Sequence, residues 1–556
     1  MSKVFELRWR LKSSTILRTF ARKSTFMYLL FVNQKRFCVS ILMKSLSVLF
    51  FCGFWVGILS AQPTIQWQKA YGGNSFDQGY SIQQTTDGGY IVAARTRSSD
   101  LFGYHWGHDV WILKLTSDGA VQWKKVFGGT VNEGPRSILQ TPDGGYLFAG
   151  YTSSNDFDVS GNHGGDFDGW VVKLSSAGAI QWQKTFGGSG RDQIWSAQTT
   201  FDNGYILAGR SSSSDGDATS NNGQIDFWVI KLNEAGTIQW QKSYGGSQDD
   251  LAYGVKQTSD GGYVVVGETS SNDGDVTGLH GNVDFWVLKL SPLGVLEWQK
   301  TLGGMAADIA SDVIQTENGD YIVVGYVGSG TGDVSVYYGL FDYWIVKLNG
   351  AGELQWERTL GGSQPDQASA IVPATGGGFL VAGTTQSTDW DVVGNDGGAE
   401  FWVVKINEEG ELVWQQTYGG SLGDECFAIA NTADNGYVLT GYTWSNDGDA
   451  TGTILNGSNE LWVLKLSPEP STPTNTPLTT QITLYPNPAH NAITLQAPSA
   501  GTTLNVTIYD LLGRTLLREE IPNGGQLNIA ALQKGVYFVS AEDGDGTVFR
   551  GKLEKE

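Results

Sequence analysis

The chain has 556 residues, room for more than one domain. Its 75 Gly and 20 Trp, against 14 Pro, 5 His and 4 Met, exclude a disordered or collagen-like chain and suggest many turns between short strands. Formal net charge is −21, and ten of the 36 Lys and Arg lie in residues 1–61 beside one acid, Glu6. The remainder carries −30, a surface that repels phosphate backbones and anionic lipid and excludes nucleic acid as a partner.

Met43 and Lys44 start a stretch that turns apolar and ends at Leu59-Ser60-Ala61, the layout of a secretory signal peptide over 43–61. Residues 1–42 are basic and patternless and read as a non-native N-terminal extension. The apolar core is too short for a membrane span, and no later segment is long enough, so no transmembrane span is expected in the mature chain. Beyond the leader Cys426 is the one cysteine, which allows no internal disulfide. Asp424 and Glu425 beside it raise rather than lower a thiol pKa, so it reads as a small apolar strand residue.

Two tryptophan series mark seven copies of one unit. The first is Trp67, Trp123, Trp182, Trp240, Trp298, Trp356 and Trp414, spaced 56 to 59. The second is Trp111, Trp170, Trp228, Trp286, Trp344, Trp402 and Trp462, spaced 58 to 60. In the copy over 187–246, Asp202-Asn203-Gly204 and Asn233-Glu234-Ala235-Gly236 are hairpin signals separating four β-branched or aromatic runs. Trp228, Ile230 and Leu232 give one apolar face, with Lys231 pointing the other way. Seven units of four antiparallel strands predict a β-propeller over 62–466, its sheets burying each other's faces. The array starts with a fourth strand, Ile65–Lys69, and stops after a third, Leu461–Leu466, so the N-terminal strand is expected to complete the seventh blade. The recurring order GG, D, DGGYIV and DFWVLKL resembles the seven-bladed propeller repeat called SBBP. That resemblance implies an exported bacterial propeller and no particular activity.

Residues 467–480 hold four prolines and no pattern, a semi-extended linker. Over 481–556 six or seven short strands predict an immunoglobulin-like β-sandwich. Tyr485-Pro486-Asn487-Pro488, then Asp510, Gly513 and Arg514, then Gly535 and Tyr537, and finally the basic Lys552, resemble the type A C-terminal sorting domain of the Por (type IX) secretion system. The resemblance implies export to the periplasm, recognition by the type IX machinery, and release or display at the outer surface.

Three constellations bear on chemistry. A carboxylate follows each Gly-Gly by four residues: Asp77, Glu133, Asp192, Asp250, Asp308, Asp366 and Asp424. They either ring a channel mouth or accept backbone N–H bonds in the turns, the latter being favoured because every copy has one. A D-x-D lies between second and third strands, with Asp215, Asp217, Asp273, Asp275, Asp447 and Asp449 as calcium candidates against plain Asx turns. Blades one and five read as keeping only the second acid, Asp100 and Asp333. No nucleophile elbow, zinc motif or set of blade-opening arginines is evident, and the five histidines read as surface residues, so neither a catalytic residue nor a cofactor is expected. Blades one and five also depart most in their loops, which makes Tyr104, Trp106, Tyr337 and Tyr338 the expected ligand surface. The reading is a binding or structural protein for a glycan or protein ligand, with an extracellular polysaccharide- or protein-degrading enzyme as the alternative.

Overall fold

The computed structural model describes residues 62–452, 458–469, 482–497, 503–509, 515–543 and 548–556. The expected signal peptide and most of the expected linker lie outside these residues. Seven four-stranded antiparallel sheets follow one another, over 77–127, 133–186, 192–244, 250–302, 308–360, 366–418 and 424–466, the last with 65–71 added. In the third sheet the strands are Asp192–Thr199, Tyr205–Ser211, Asp226–Leu232 and Ile238–Tyr244, in chain order across the sheet. Short hairpins join them because Asx and Gly residues accept the turn: Asn203 (φ 62°) takes the left-handed conformation while Asp202 accepts the Gly204 N–H.

Residues 65–71 complete the seventh sheet. Ile65–Tyr71 runs antiparallel to Glu460–Leu466, with Gln68 opposite Leu464 and Tyr71 opposite Leu461. Successive sheets share apolar cores, and the first and seventh share one too, in which Ile82, Tyr90 and Val92 meet Val438, Leu461 and Val463. The first strand of each sheet lies against the first strands of the sheets on either side, so these seven strands form the inner wall of the propeller.

Each tryptophan series has a distinct task. Third-strand tryptophans fill the space between sheets and are fully buried. Fourth-strand tryptophans lie under the next sheet's outer hairpin: Trp123 packs flat on Gly178, and Trp240 donates its indole N–H to Pro292 O at 3.2 Å. The third strands are covered on both faces, and Lys231 points away from Trp228 as expected. It is buried beside Phe227 and Val229, and its ammonium sits 2.9 Å from an Asp202 oxygen in the first hairpin of the same sheet. Although burial would raise it, hydrogen bonds from Thr200 and Lys231 hold Asp202 at a pKa of about 2.

Among the described residues the C-terminal part has seven strands in two sheets. Thr483–Tyr485, Ala492–Gln496 and Gln526–Asn528 form one. Thr515–Pro522, Thr503–Tyr509, Gly535–Asp543 and Val548–Lys555 form the other, in that order. Leu484, Ile493, Leu495, Val506, Ile508, Leu527, Val539 and Phe549 form one buried core, as in a β-sandwich. Among the described residues no helix is long and apolar enough to cross a membrane.

Candidate functional site

The seven carboxylates after Gly-Gly do not ring a channel. All are fully buried and accept the N–H of the second glycine, at 2.8 Å for Gly188 to Asp192 and 2.9 Å for Gly129 to Glu133. A hydroxyl at or just past the second-strand end completes the shell in six copies, as Ser213 does for Asp192 at 2.7 Å, whereas Asp308 accepts the Gly328 N–H instead. The D-x-D acids clasp the same Gly-Gly segment. Asp215 accepts the Ser189 N–H at 2.7 Å, Asp273 that of Ser247 at 2.7 Å, and Asp447 that of Ser421 at 2.8 Å. Asp217, Asp275 and Asp449 donate their own N–H to the first glycine's carbonyl. Asp100 accepts from Asn74 N as the first acids do, so blade one retains the first acid and not the second. Among the described residues no group of three or more His, Cys, Asp or Glu is placed to hold a metal ion.

A further buried acid opens each third strand. Asp226 accepts the Asn222 N–H at 2.6 Å, while its other oxygen has no partner and faces Gly245 together with Asp250. Burial, then the charges of Asp250 and Asp275, raise its pKa to about 7. Asp342 rises to about 7 and Asp109 to about 8 for the same reasons. His163 and His280 are tied to the corresponding Asp168 and Asp284, at 2.9 and 3.0 Å. Cys426 is fully buried, and burial pushes its thiol far up, in line with the apolar reading.

The loops between second and third strands share one end of the sheets with the Gly-Gly turns. Here Trp106 is 72% exposed. Tyr104 and Tyr337 are half-buried, their hydroxyls donating to Gly107 O and Leu340 O. Tyr338 packs on Trp390, 5.5 Å between ring centres. The structure thus splits the four expected residues into two sets, and each set has an aromatic neighbour that the sequence reading missed. His105, between Tyr104 and Trp106, lies 4.5 Å from Phe157, and Trp390 joins the second set; Phe157 and Trp390 are each 69% exposed. Both occupy the centre of a D-x-D, where Gly216, Gly274 and Gly448 stand in other blades. Those glycines have φ between 59° and 64°, and Phe157 (52°) and Trp390 (57°) are held in the same left-handed region. Bulky residues avoid it at a cost of about 1–2 kcal/mol.

The largest departure from repeat symmetry is on the inner wall. Each first strand carries a bulge at its fourth residue, which drops out of the ladder. These residues are Tyr80, Arg136, Trp195, Tyr253, Ser311, Ser369 and Phe427. Five large side chains form a continuous arc: Phe427 stacks on Tyr80 (5.1 Å, 9°), Arg136 lies 4.7 Å from the Tyr80 ring and 3.9 Å from Trp195, and Trp195 meets Tyr253 edge-on at 5.0 Å. Arg95 and Arg210, next to last in their second strands, extend the stack at 5.6 Å from Tyr80 and 5.7 Å from Trp195. They are braced by Gln78 (2.9 Å) and Gln193 (2.7 Å). Sequence reasoning missed this set because a bulge hides which side of the sheet a residue takes.

In the C-terminal domain Asn487 ties its loop to the last strand, donating to Lys552 O and accepting from Glu554 N, each at 2.7 Å. Tyr537 donates to Gln533 O at 2.6 Å, and Gly535 starts the same strand. Tyr485 and Lys552 are exposed, and Pro486 and Pro488 both follow cis peptide bonds. Asp510, Gly513 and Arg514 lie outside the described residues. Residues 483–553 match the family described as the secretion system C-terminal sorting domain. The chain therefore ends in a sorting domain that directs it through type IX secretion to the cell surface or outside. No curated protein matches the chain. It is similar in outline to the extracellular domain of a one-component system from B. thetaiotaomicron (TM-score 0.32, 10% identity, 86% of this chain and 69% of that one). It is also similar to Sqt1 from Chaetomium thermophilum (0.37, 10%, 73% and 100%) and to a puromycin hydrolase (0.39, 13%, 66% and 50%).

Proposed function

We propose that this exported chain is a non-catalytic binding or structural protein that holds a glycan or protein ligand on the loop end of its propeller. A leader over 43–61 takes it to the periplasm of a Gram-negative cell, and residues 481–556 then engage the type IX machinery. The repeat order that resembles SBBP fits this reading. The observation that carries it is the conformation of Trp106, Phe157 and Trp390. All three are exposed and have positive φ, at 127°, 52° and 57°. Backbone strain combined with solvent-exposed rings opposes stability twice, and such strain clusters at ligand sites. The repeated carboxylates, by contrast, are engaged in turns, which favours binding over acid/base chemistry.

The test is a glycan and surface-protein array probed with the full chain and with Trp106→Ala, Phe157→Gly and Trp390→Gly. Loss of the array signal in variants with unchanged folding supports the proposal. An unchanged signal refutes it, and cleavage of an arrayed polymer replaces it with the degrading-enzyme reading.

A further inference from the structure

The inner-wall arc alternates cations and rings in one run, Arg95, Tyr80, Arg136, Trp195 and Arg210, across the first three sheets. Three guanidinium groups crowd together in a chain of net charge −21, and among the described residues none is ion-paired to a carboxylate. Burial lowers the pKa of Arg136, and neighbouring Arg95 lowers it further against the tyrosines that oppose the change. Burial likewise lowers Arg210, with Arg191 and Arg136 adding to it. Glu268 accepts a hydrogen bond from Tyr253 at 3.1 Å and forms no ion pair with an arginine; burial raises its pKa against the lowering by Tyr253 and Arg210.

Two donors in the arc, Arg136 Nε and Trp195 Nε1, are enclosed and have no acceptor. An enclosed donor without a partner costs about 1–3 kcal/mol, more when charged. Arg136 lies among three rings, 3.9 Å from Trp195, 4.7 Å from Tyr80 and 5.7 Å from Tyr151, and the edge of a guanidinium group is the part that pairs two-pronged with an oxyanion. Glu268 Oε2 is also enclosed and unpartnered, an acceptor suited to a hydroxyl. The corresponding bulge positions of the fifth and sixth sheets hold the small residues Ser311 and Ser369. Aromatic walls make desolvation of a dianion far more costly than that of a monoanion.

We propose that the inner wall binds a singly charged oxyanion, the carboxylate or sulfate ester of a hydroxylated ligand such as an acidic sugar, on Arg136, Arg210, Arg95 and Trp195. This deepens the binding reading by naming a ligand class at the same end of the propeller, and it rests on that reading only for the wider ligand. Arg136 supplies the central charge, Arg95 and Arg210 flank it, and Glu268 takes a hydroxyl.

The experiment is isothermal titration of the full chain, at constant ionic strength, with glucuronate, glucose 6-sulfate, glucose and inorganic phosphate. Binding of glucuronate or the sulfate ester, with glucose at least tenfold weaker, supports the site, and the stronger of the two names the source. Arg136→Met and Arg210→Met each lower that affinity at least tenfold. If Arg136→Met lowers the melting temperature markedly, Arg210→Met decides. No heat with either monoanion, tighter binding of phosphate than of both, or unchanged affinity in the folded arginine variants overturns the inference. Array binding that depends on Trp390 and Phe157 without any anion binding overturns this inference alone and leaves the loop surface standing.

Discussion

Two glycines of the second blade separate the cost of a backbone conformation from the cost of packing between blades. Gly144 (φ 79°) turns the first hairpin of that sheet, and a Cβ there would meet nothing within 4 Å. Gly178 (φ 74°) turns the last hairpin, and a Cβ there would lie 2.9 Å from Cζ3 of Trp123, in the preceding sheet. Carbon atoms pack at about 3.5–4.0 Å, so the ring must move by more than half an ångström. Gly144→Ala therefore costs the left-handed penalty, about 1–2 kcal/mol. Gly178→Ala costs the same plus overpacking of about 1–3 kcal/mol, a total of about 2–5 kcal/mol. Denaturant unfolding of the full chain followed by tryptophan fluorescence measures both. In a Trp123→Ala background the extra cost of Gly178→Ala should vanish, leaving the conformational part. Equal destabilisation by the two substitutions in the native background would refute the idea that fourth-strand tryptophans clamp neighbouring blades through these glycines.

The pH profile has two limbs of opposite sign. Asp109, Asp226 and Asp342, raised to about 7–8, hold protons in the folded state that the unfolded chain has released, so melting temperature falls as pH rises from 5 to 8. Asp87, Asp143, Asp202 and Asp260, held at about 2, contribute stability above the ordinary carboxylate pKa that is lost as pH falls from 4 toward 2. Asp226→Asn should raise stability at pH 8 and flatten the upper limb; a profile identical to that of the wild type in a melting series would contradict the raised pKa. Phe157→Gly and Trp390→Gly should each stabilise the fold by about 1 kcal/mol, because glycine suits the left-handed site, and a lower unfolding midpoint would argue against strain there. Calcium should give neither titration heat nor a rise in melting temperature, since the D-x-D oxygens are spent on backbone N–H groups and fall short of the six that calcium requires.

The fold was legible because its punctuation repeats: tryptophans at fixed spacing and Asx-Gly turns reported every strand and the exchange that places residues 65–71 beside 461–466. The turn role of Asp192 and its counterparts followed from their presence in every copy. Alternation put Lys231 on the face opposite Trp228, but a period of two does not report that both faces are covered by neighbouring sheets. Phe157 and Trp390 escaped notice inside motifs read as turn chemistry, although their substitution for glycine was visible. The inner arc was hidden more deeply. Tyr80, Arg136, Trp195 and Tyr253 sit at bulges, and a period of two cannot tell which way a bulged residue turns. Their meeting also depends on neighbouring sheets about sixty residues apart in sequence.

Lodging the earliest strand in the latest sheet has a consequence for biogenesis. Until residues 65–71 dock, Glu460–Leu466 presents a bare row of amide and carbonyl groups, a template for any extended segment that arrives first. Within one molecule the proper segment is tethered and arrives at high effective concentration. A chain that has lost residues 65–71 offers its vacancy to the same strand of an intact copy, which would make linear polymers held by strand donation the characteristic failure of this protein.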